Sequence, residues 1–123
     1  MNTADLEDEM LDYWTARAEG FDAEVVQLYG WRYCRIDAYG VGWRVYEPNG
    51  SASLAGDIMR RRRYTVFLFD DADADGVKRA VWRAEARQNP IFHGLHRAES
   101  PWVAVCRLRV DEVFGSIVAD EEW

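Results

Sequence analysis

An apolar run that ends in a cluster of carboxylates is the feature that most constrains this chain. Val66–Phe69 has the length of a strand, and four aspartates follow it within Asp70–Asp75, just before Gly76. Because carboxylates this close repel one another, they must be stabilised by water, by helix N–H groups or by a cation. We therefore expect an exposed turn here, followed by a helix over residues 75–88.

The spacing Asp71-x-Asp73-x-Asp75-Gly76 resembles the first half of an EF-hand calcium loop, where alternating carboxylates converge on one hard cation. The resemblance covers six residues, and the twelfth loop position is Trp82 where that family has a bidentate glutamate. We therefore expect no metal and no cofactor. Asp71, Asp73 and Asp75 are interpreted as carboxylates at a helix N-terminus, and they are the candidate ligands should a cation bind.

The composition favours one domain over residues 1–123, since 49% hydrophobic and 14% aromatic residues can supply one core. No apolar run approaches the roughly 20 residues that cross a bilayer. The acidic N-terminus lacks the basic and apolar regions of a signal peptide, so we expect a cytoplasmic protein. Cys34 and Cys106 both lie in strand-like stretches and are expected to be reduced core thiols.

The order of hydrophobic patterns predicts an α+β fold: a mostly antiparallel sheet of about five strands with two helices packed on one face. The first helix is predicted over residues 3–19, ended by Gly20. Tyr64–Phe69 is almost entirely apolar and is predicted to be the central strand. Loops are expected over residues 48–56 and 91–101. The remaining predicted strands cover residues 25–29, 31–36, 41–46, 102–110 and, as a short last one, 113–118.

Charge is segregated along the chain. The net charge is −7, yet residues 1–24 alone carry −7 and residues 111–123 carry −5, while residues 25–69 carry +4. We expect the acidic ends to face outward and, with aromatic side chains, to bind a basic groove on another protein. The predicted protein-binding residues are Glu7, Asp8, Asp12, Trp14, Glu19, Asp120 and Trp123. This prediction depends on these carboxylates not pairing with the arginines in the middle of the chain.

The chemistry predicted from these features is that of a non-enzymatic, inhibitor-type module that binds a protein. Immunity proteins and phage anti-defence proteins such as anti-CRISPRs share this size and charge, which is a physical analogy alone.

The main alternative is nucleic-acid or nucleotide binding on a sheet where arginines alternate with aromatic residues. The alternation also fits arginines outside and aromatics inside, without any ligand. The sequence pI of about 4.8 disfavours nucleic-acid binding. The candidate residues for this alternative are Arg32, Arg35, Trp43, Arg44, Arg61 and Arg63.

A second alternative is a small enzyme built on the His93–Glu99 loop, with His93, His96 and Glu99 beside Asp70 or Asp71. Acid–base chemistry there requires a pocket that holds a histidine and a carboxylate within about 3 Å.

Overall fold

The computed structural model describes residues 1–72 and 75–121, and within them the chain forms three α-helices and two three-stranded antiparallel sheets. The α+β class is therefore confirmed, whereas one sheet of about five strands with two helices is wrong. The helices are α1 (Asp8–Ala18), α2 (Ala52–Arg62) and α3 (Pro101–Phe114). The strands are β1 (Asp22–Leu28), β2 (Trp31–Asp37), β3 (Trp43–Val45), β4 (Thr65–Ala72), β5 (Lys78–Glu85) and β6 (Leu95–Ala98).

The two sheets are covered by different helices. The first sheet has the order β1-β2-β3 and packs on α1, while the second has the order β4-β5-β6 and packs on α3. Because α1 and α3 also pack on each other, one hydrophobic core connects both sheets, and it includes Leu11, Ile36, Ala84 and Leu108. No helix within residues 1–72 and 75–121 is long and apolar enough to cross a membrane.

The register of the first sheet determines which side chains reach solvent. Val25 lies opposite Cys34 and both are buried, so the next pair, Val26 and Tyr33, belongs to the other face. Along β2, Cys34 and Ile36 therefore face the core, while Trp31, Tyr33 and Arg35 share the outer face. The interpretation that the aromatics point inward is wrong for this strand, because Trp31 and Tyr33 share the outer face with Arg35.

The second sheet replaces a predicted helix. Residues 75–88 were expected to be helical, but Gly76 has a φ of +77° in a turn, and β5 pairs with the whole of β4. Ala80 and Ala84 on one face of β5 imitate helical spacing. β4 is an edge strand and not the central one. Phe69 lies on the outer face of β4 but is only partly exposed, because the guanidinium of Arg83 covers its ring at 3.9 Å.

Two helices were not recognised from the sequence. α2 occupies much of the predicted 48–56 loop, and α3 replaces the predicted strand 102–110. Each begins at a serine N-cap: the hydroxyls of Ser51 and Ser100 accept hydrogen bonds from backbone N–H groups at 3.2 Å. α3 contacts α1, α2 and the second sheet, so it is apolar on most sides. A helix of this kind lacks the polar face that would show the 3.6-residue repeat in the sequence. In place of the predicted 113–118 strand, Ile117 forms an isolated bridge with Asn2.

The first helix is shorter than predicted but ends where expected. A 3-10 turn over Thr3–Asp5 precedes it, and α1 begins only at Asp8. Gly20 has a φ of +84°, and its N–H donates to the Arg17 carbonyl. Gly20 therefore terminates the helix, as its position predicted.

The two cysteines are free and buried, as expected, although Cys106 lies in α3 and not in a strand. Burial raises the pKa of the Cys34 thiol to about 12 and also raises that of Cys106. Both thiols are therefore unreactive at neutral pH.

Arg109 of α3 binds two nearly buried carboxylates at once. Its Nε lies 2.9 Å from Glu19 and its Nη1 lies 2.8 Å from Glu112, whose side chains are 8% and 6% exposed. Its Nη2 donates to the carbonyl of Ala18 in the last turn of α1. One guanidinium thus holds the end of α1 against α3.

α2 completes this network from the other side. Arg61 pairs with Glu19, and Arg62 pairs with Glu112 at 2.8 Å. Burial raises the pKa of Glu112, but hydrogen bonds from Arg62, Asn89 and Tyr64 outweigh it, and the pKa falls to about 2. The acidic ends of the chain are therefore joined to the arginines of its middle, which is the pairing that the predicted acidic surface had to avoid.

We expect Arg109→Met to lower the free energy of unfolding by about 3 kcal/mol, because two nearly buried carboxylates lose a shared partner. Urea denaturation measures this loss. The control is Arg60→Met, which removes an arginine that is 78% exposed, and it should leave the midpoint unchanged. Equal shifts in the two variants would show that burial of the network does not matter.

Gly94 and Gly56 should respond oppositely to alanine. A Cβ on Gly94 would overlap the Phe92 ring and would lie 2.8 Å from a methyl of Leu108, whereas a Cβ on Gly56 in α2 meets nothing within 4 Å. Thermal denaturation should show Gly94→Ala destabilised by about 1–3 kcal/mol and Gly56→Ala stabilised by about 0.5–1 kcal/mol. A neutral Gly94→Ala would mean that Phe92 moves aside without cost.

Candidate functional site

The predicted acidic surface is divided between the core and the exterior. Trp14 is buried and meets Phe114 edge-on at a centroid distance of 5.3 Å. Asp12 is 3% exposed, and Glu19 belongs to the arginine network. These three side chains therefore support the fold and do not form an outer surface.

The other predicted residues lie at the exterior or outside the described residues. Glu7 and Asp8 are exposed at the start of α1, whereas the carboxylate of Asp120 lies 3.3 Å from the amine of Met1. Trp123 lies outside the described residues. Asp8 thus remains as a predicted residue that borders a cleft of matching chemistry.

A cleft of about 310 Å³ lies where α1 begins, beside the start of β2. β3 pairs only with Arg35–Asp37, so β2 pairs with β1 alone over Trp31–Tyr33. The 3-10 turn Pro48–Gly50 and the first turn of α1 lie next to this part of β2, and they form the opposite wall. We call this the acidic–aromatic cleft; its lining includes Asp8, Glu9, Asp12, Glu47, Trp31, Arg32 and Tyr33.

The outer face of the first sheet continues from this cleft. Trp31 is 76% exposed, and Trp43 on β3 is also exposed. The Arg35 guanidinium lies 4.9 Å from the Trp43 ring and pairs with Glu24. Seven exposed large apolar side chains lie on this sheet and its turns: Leu28, Tyr29, Trp31, Tyr39, Val41, Trp43 and Val45. Exposed aromatic side chains beside charged residues are typical of a contact site for another molecule.

Asp12 lies at the base of the acidic–aromatic cleft. Its Oδ1 accepts a hydrogen bond from the Asn49 N–H at 3.0 Å. Burial raises its pKa to about 7, and the hydrogen bond to Asn49 offsets only part of this shift, while Glu47 and Asp8 add to it. Burial therefore favours the protonated form of Asp12 relative to an ordinary aspartate.

The arginines proposed for nucleic-acid binding are mostly occupied by carboxylates. Arg32 lies 3.8 Å from Glu9, Arg35 pairs with Glu24, and Arg61 pairs with both Glu19 and Asp57. Arg63 is an exposed left-handed C-cap of α2, and Arg44 lies in β3 on the face that carries Ile36. The structure does not bring these residues together as one open basic stripe.

The histidine loop is partly a strand. His93 is in the loop before β6, whereas His96 lies within β6 and is 7% exposed. Its Nε2 lies 2.8 Å from Asp111 of α3. This distance meets the condition set for acid–base chemistry, but the pair is packed between a strand and a helix. The contact is therefore best explained as a structural link.

The described aspartates of the cluster lie near the end of the β4–β5 hairpin. Asp71 lies in β4 and pairs with Arg97 at 2.6 Å, Asp75 lies in the turn, and Asp73 is outside the described residues. Among residues 1–72 and 75–121, no group of three histidine, cysteine or acidic side chains could hold a metal. The prediction that no metal binds stays a prediction.

The fold and the site define a small α+β protein whose exposed chemistry is a mixed acidic and aromatic surface on a three-stranded sheet. The family model described as Bacteriophage P22, NinX matches residues 2–111, so the chain belongs to the NinX family. No curated protein matches the chain.

Sequence reasoning missed most of the residues that line this surface. Trp31, Tyr33 and Glu47 were not among the predicted binding residues, although Trp31-x-Tyr33-x-Arg35 repeats with the period of a strand face. This repeat places the three side chains on one face of a strand. Assigning that face to solvent required the pairing of β1 with β2. Glu47 could not be found locally, because only the tertiary fold places it beside α1.

We expect Asp12→Asn to change the pH dependence of stability. The raised pKa means that the folded state keeps a proton that the unfolded state loses, so stability falls as pH rises from about 4 to 7. The asparagine variant removes this slope, which is at most about 1.4 kcal/mol per pH unit. Urea denaturation of both proteins at several pH values between 4 and 8 measures it. Parallel curves for the two proteins would contradict a titrating Asp12.

Proposed function

We propose that this phage-family protein is a non-enzymatic, inhibitor-type module that binds another protein through the acidic–aromatic cleft and the outer face of the first sheet. The single observation that carries the proposal is Trp31, which is 76% exposed and lies between these two surfaces. A large indole left in water is a strong candidate for an anchor at a protein interface, because its burial contributes much of the affinity.

The chemistry of the cleft supports a partner with a basic surface. Asp8, Glu9 and Glu47 line the same cleft as Trp31 and Tyr33. A lysine or arginine side chain of a partner gains both ion pairing and contact with a ring face in such a cleft. The negative rim also increases the rate at which a basic partner associates.

The pairing of arginines with carboxylates favours a protein over a nucleic acid. Arg32 and Arg35 flank the exposed aromatics, but Glu9 and Glu24 accompany them. Binding of phosphate there must displace an acid or place a phosphate beside it. The two free buried thiols are compatible with the reducing cytoplasm, which is where we propose the protein acts.

Photo-crosslinking tests the proposed surface directly. A photoreactive phenylalanine at Tyr29, which is 93% exposed beside the outer face, should capture a protein in extracts of infected host cells. The same group at Ile91, which is 92% exposed in the loop before β6, is the matched control and should not capture it. Trp31→Ala should abolish the adduct at Tyr29. An adduct that nuclease removes would instead support the nucleic-acid alternative.

With the partner purified, Trp31→Ala should weaken binding about 30-fold, as expected for a central anchor. Glu9→Lys should slow association with the partner more than it speeds dissociation. Ile91→Ala should change neither the affinity nor the association and dissociation rates. Isothermal titration calorimetry measures the affinity, and surface plasmon resonance measures the rates. An inhibitor-type module also lowers the partner's activity when added in stoichiometric amount, and an unchanged activity would contradict that part of the proposal.

A further inference from the structure

A second cleft of the first sheet lies between β3 and α2. It has a volume of about 360 Å³, and its apolar lining includes Phe21, Ile36, Tyr46 and Leu54. The rings of Phe21 and Tyr46 meet edge-on at a centroid distance of 5.7 Å. A cleft of this size and lining accommodates one aromatic or branched apolar group.

Arg44 is the charged residue of this cleft whose guanidinium N–H groups are available to a ligand. It lies opposite Ile36 in the register, so it is on the inner face of β3 and lines the cleft. Arg44 is an exposed residue, and its guanidinium forms no hydrogen bond or ion pair with residues 1–72 and 75–121. A guanidinium carries five N–H donors in a planar fork that matches a carboxylate.

The carboxylates of the same cleft are already neutralised. Glu19 is held by Arg61 and Arg109, and Asp57 is held by Arg60 and Arg61. Because each acid has two arginine partners, neither is available to Arg44 or attractive to a cation. The field at Arg44 therefore favours an anion, although the protein as a whole carries a charge of −7.

We propose that the cleft between β3 and α2 is a binding site for a small aromatic carboxylate, with the ring over Phe21 and Tyr46 and the carboxylate on Arg44. The group can be a free metabolite or the C-terminal residue of a polypeptide, since both present a ring and a carboxylate a few bonds apart. This site is separate from the acidic–aromatic cleft and does not depend on the proposed protein partner.

Titration with 3-phenylpropanoate, followed by ¹H–¹⁵N correlation spectra, tests the site. Resonances of Phe21, Arg44 and Leu54 should shift at ligand concentrations up to about 10 mM, while the Trp31 indole resonance stays in place. The amine analogue 3-phenylpropylamine should leave these resonances unchanged. Equal shifts with the amine, or no shifts with the carboxylate, would overturn the proposal.

Variants separate the role of Arg44 from general charge. Arg44→Gln should weaken binding of 3-phenylpropanoate about tenfold, because it removes a charged hydrogen-bond donor. Arg87→Gln removes an exposed arginine beside Glu85, far from the cleft in sequence, and should leave binding unchanged. Unaltered affinity in Arg44→Gln would overturn the assignment of the carboxylate to this residue.

Two peptides distinguish the sources of the ligand. N-acetyl-Ala-Phe with a free carboxylate should bind more tightly than 3-phenylpropanoate if the site takes a polypeptide C-terminus, and its C-terminal amide should not bind. Tighter binding of 3-phenylpropanoate than of the peptide acid assigns the site to a free small molecule. Equal binding of the peptide acid and its amide would contradict a carboxylate-binding site of either kind.

Discussion

The contact on which the fold depends is the double ion pair of Arg109 with Glu19 and Glu112. Glu19 closes α1, Glu112 lies in α3, and the two arginines that complete the network come from α2. Carboxylates this well buried require ion-pair partners. The free energy of desolvating an unpaired charge is larger than the stabilisation gained by packing side chains around it. The network therefore links all three helices, and the arginines of α2 help to hold it against α3.

This network also decides what the surface can do. Arginines in the middle of the chain and acids near its ends are separated in sequence but adjacent in space, so much of their charge is consumed within the molecule. The aromatic residues of β2 and β3 remain exposed because α1 covers only one face of the first sheet. The surface available to a partner is thus aromatic at its centre and charged at its edges, as in many protein interfaces.

The parts of the fold that could be predicted from sequence are those encoded by local spacing. Gly20 ends α1 because its own backbone allows it, and β1, β2 and β3 lie within or close to the strands predicted over residues 25–29, 31–36 and 41–46. The segment of β5 was predicted to be a helix because Val77, Val81 and Ala84 repeat with helical spacing. The segment of α3 was predicted to be a strand because Trp102–Val110 is apolar on nearly every side. Trp14 was predicted to be exposed, but it is buried. Its burial depends on how the helices pack on each other, and no local sequence pattern specifies that packing.

The two clefts of the first sheet differ in charge because different neighbours complete the lining of each. At the Trp31 end of β2, the first turn of α1 supplies Asp8 and Glu9, which the N-terminal dipole of that helix stabilises. At β3, α2 supplies Arg61, which neutralises the nearby acids and leaves Arg44 unmatched. Four acids and one arginine line the first cleft, whereas two acids and two arginines line the second. The excess of acids at the first cleft favours a basic partner, and the paired acids of the second leave Arg44 for an anion.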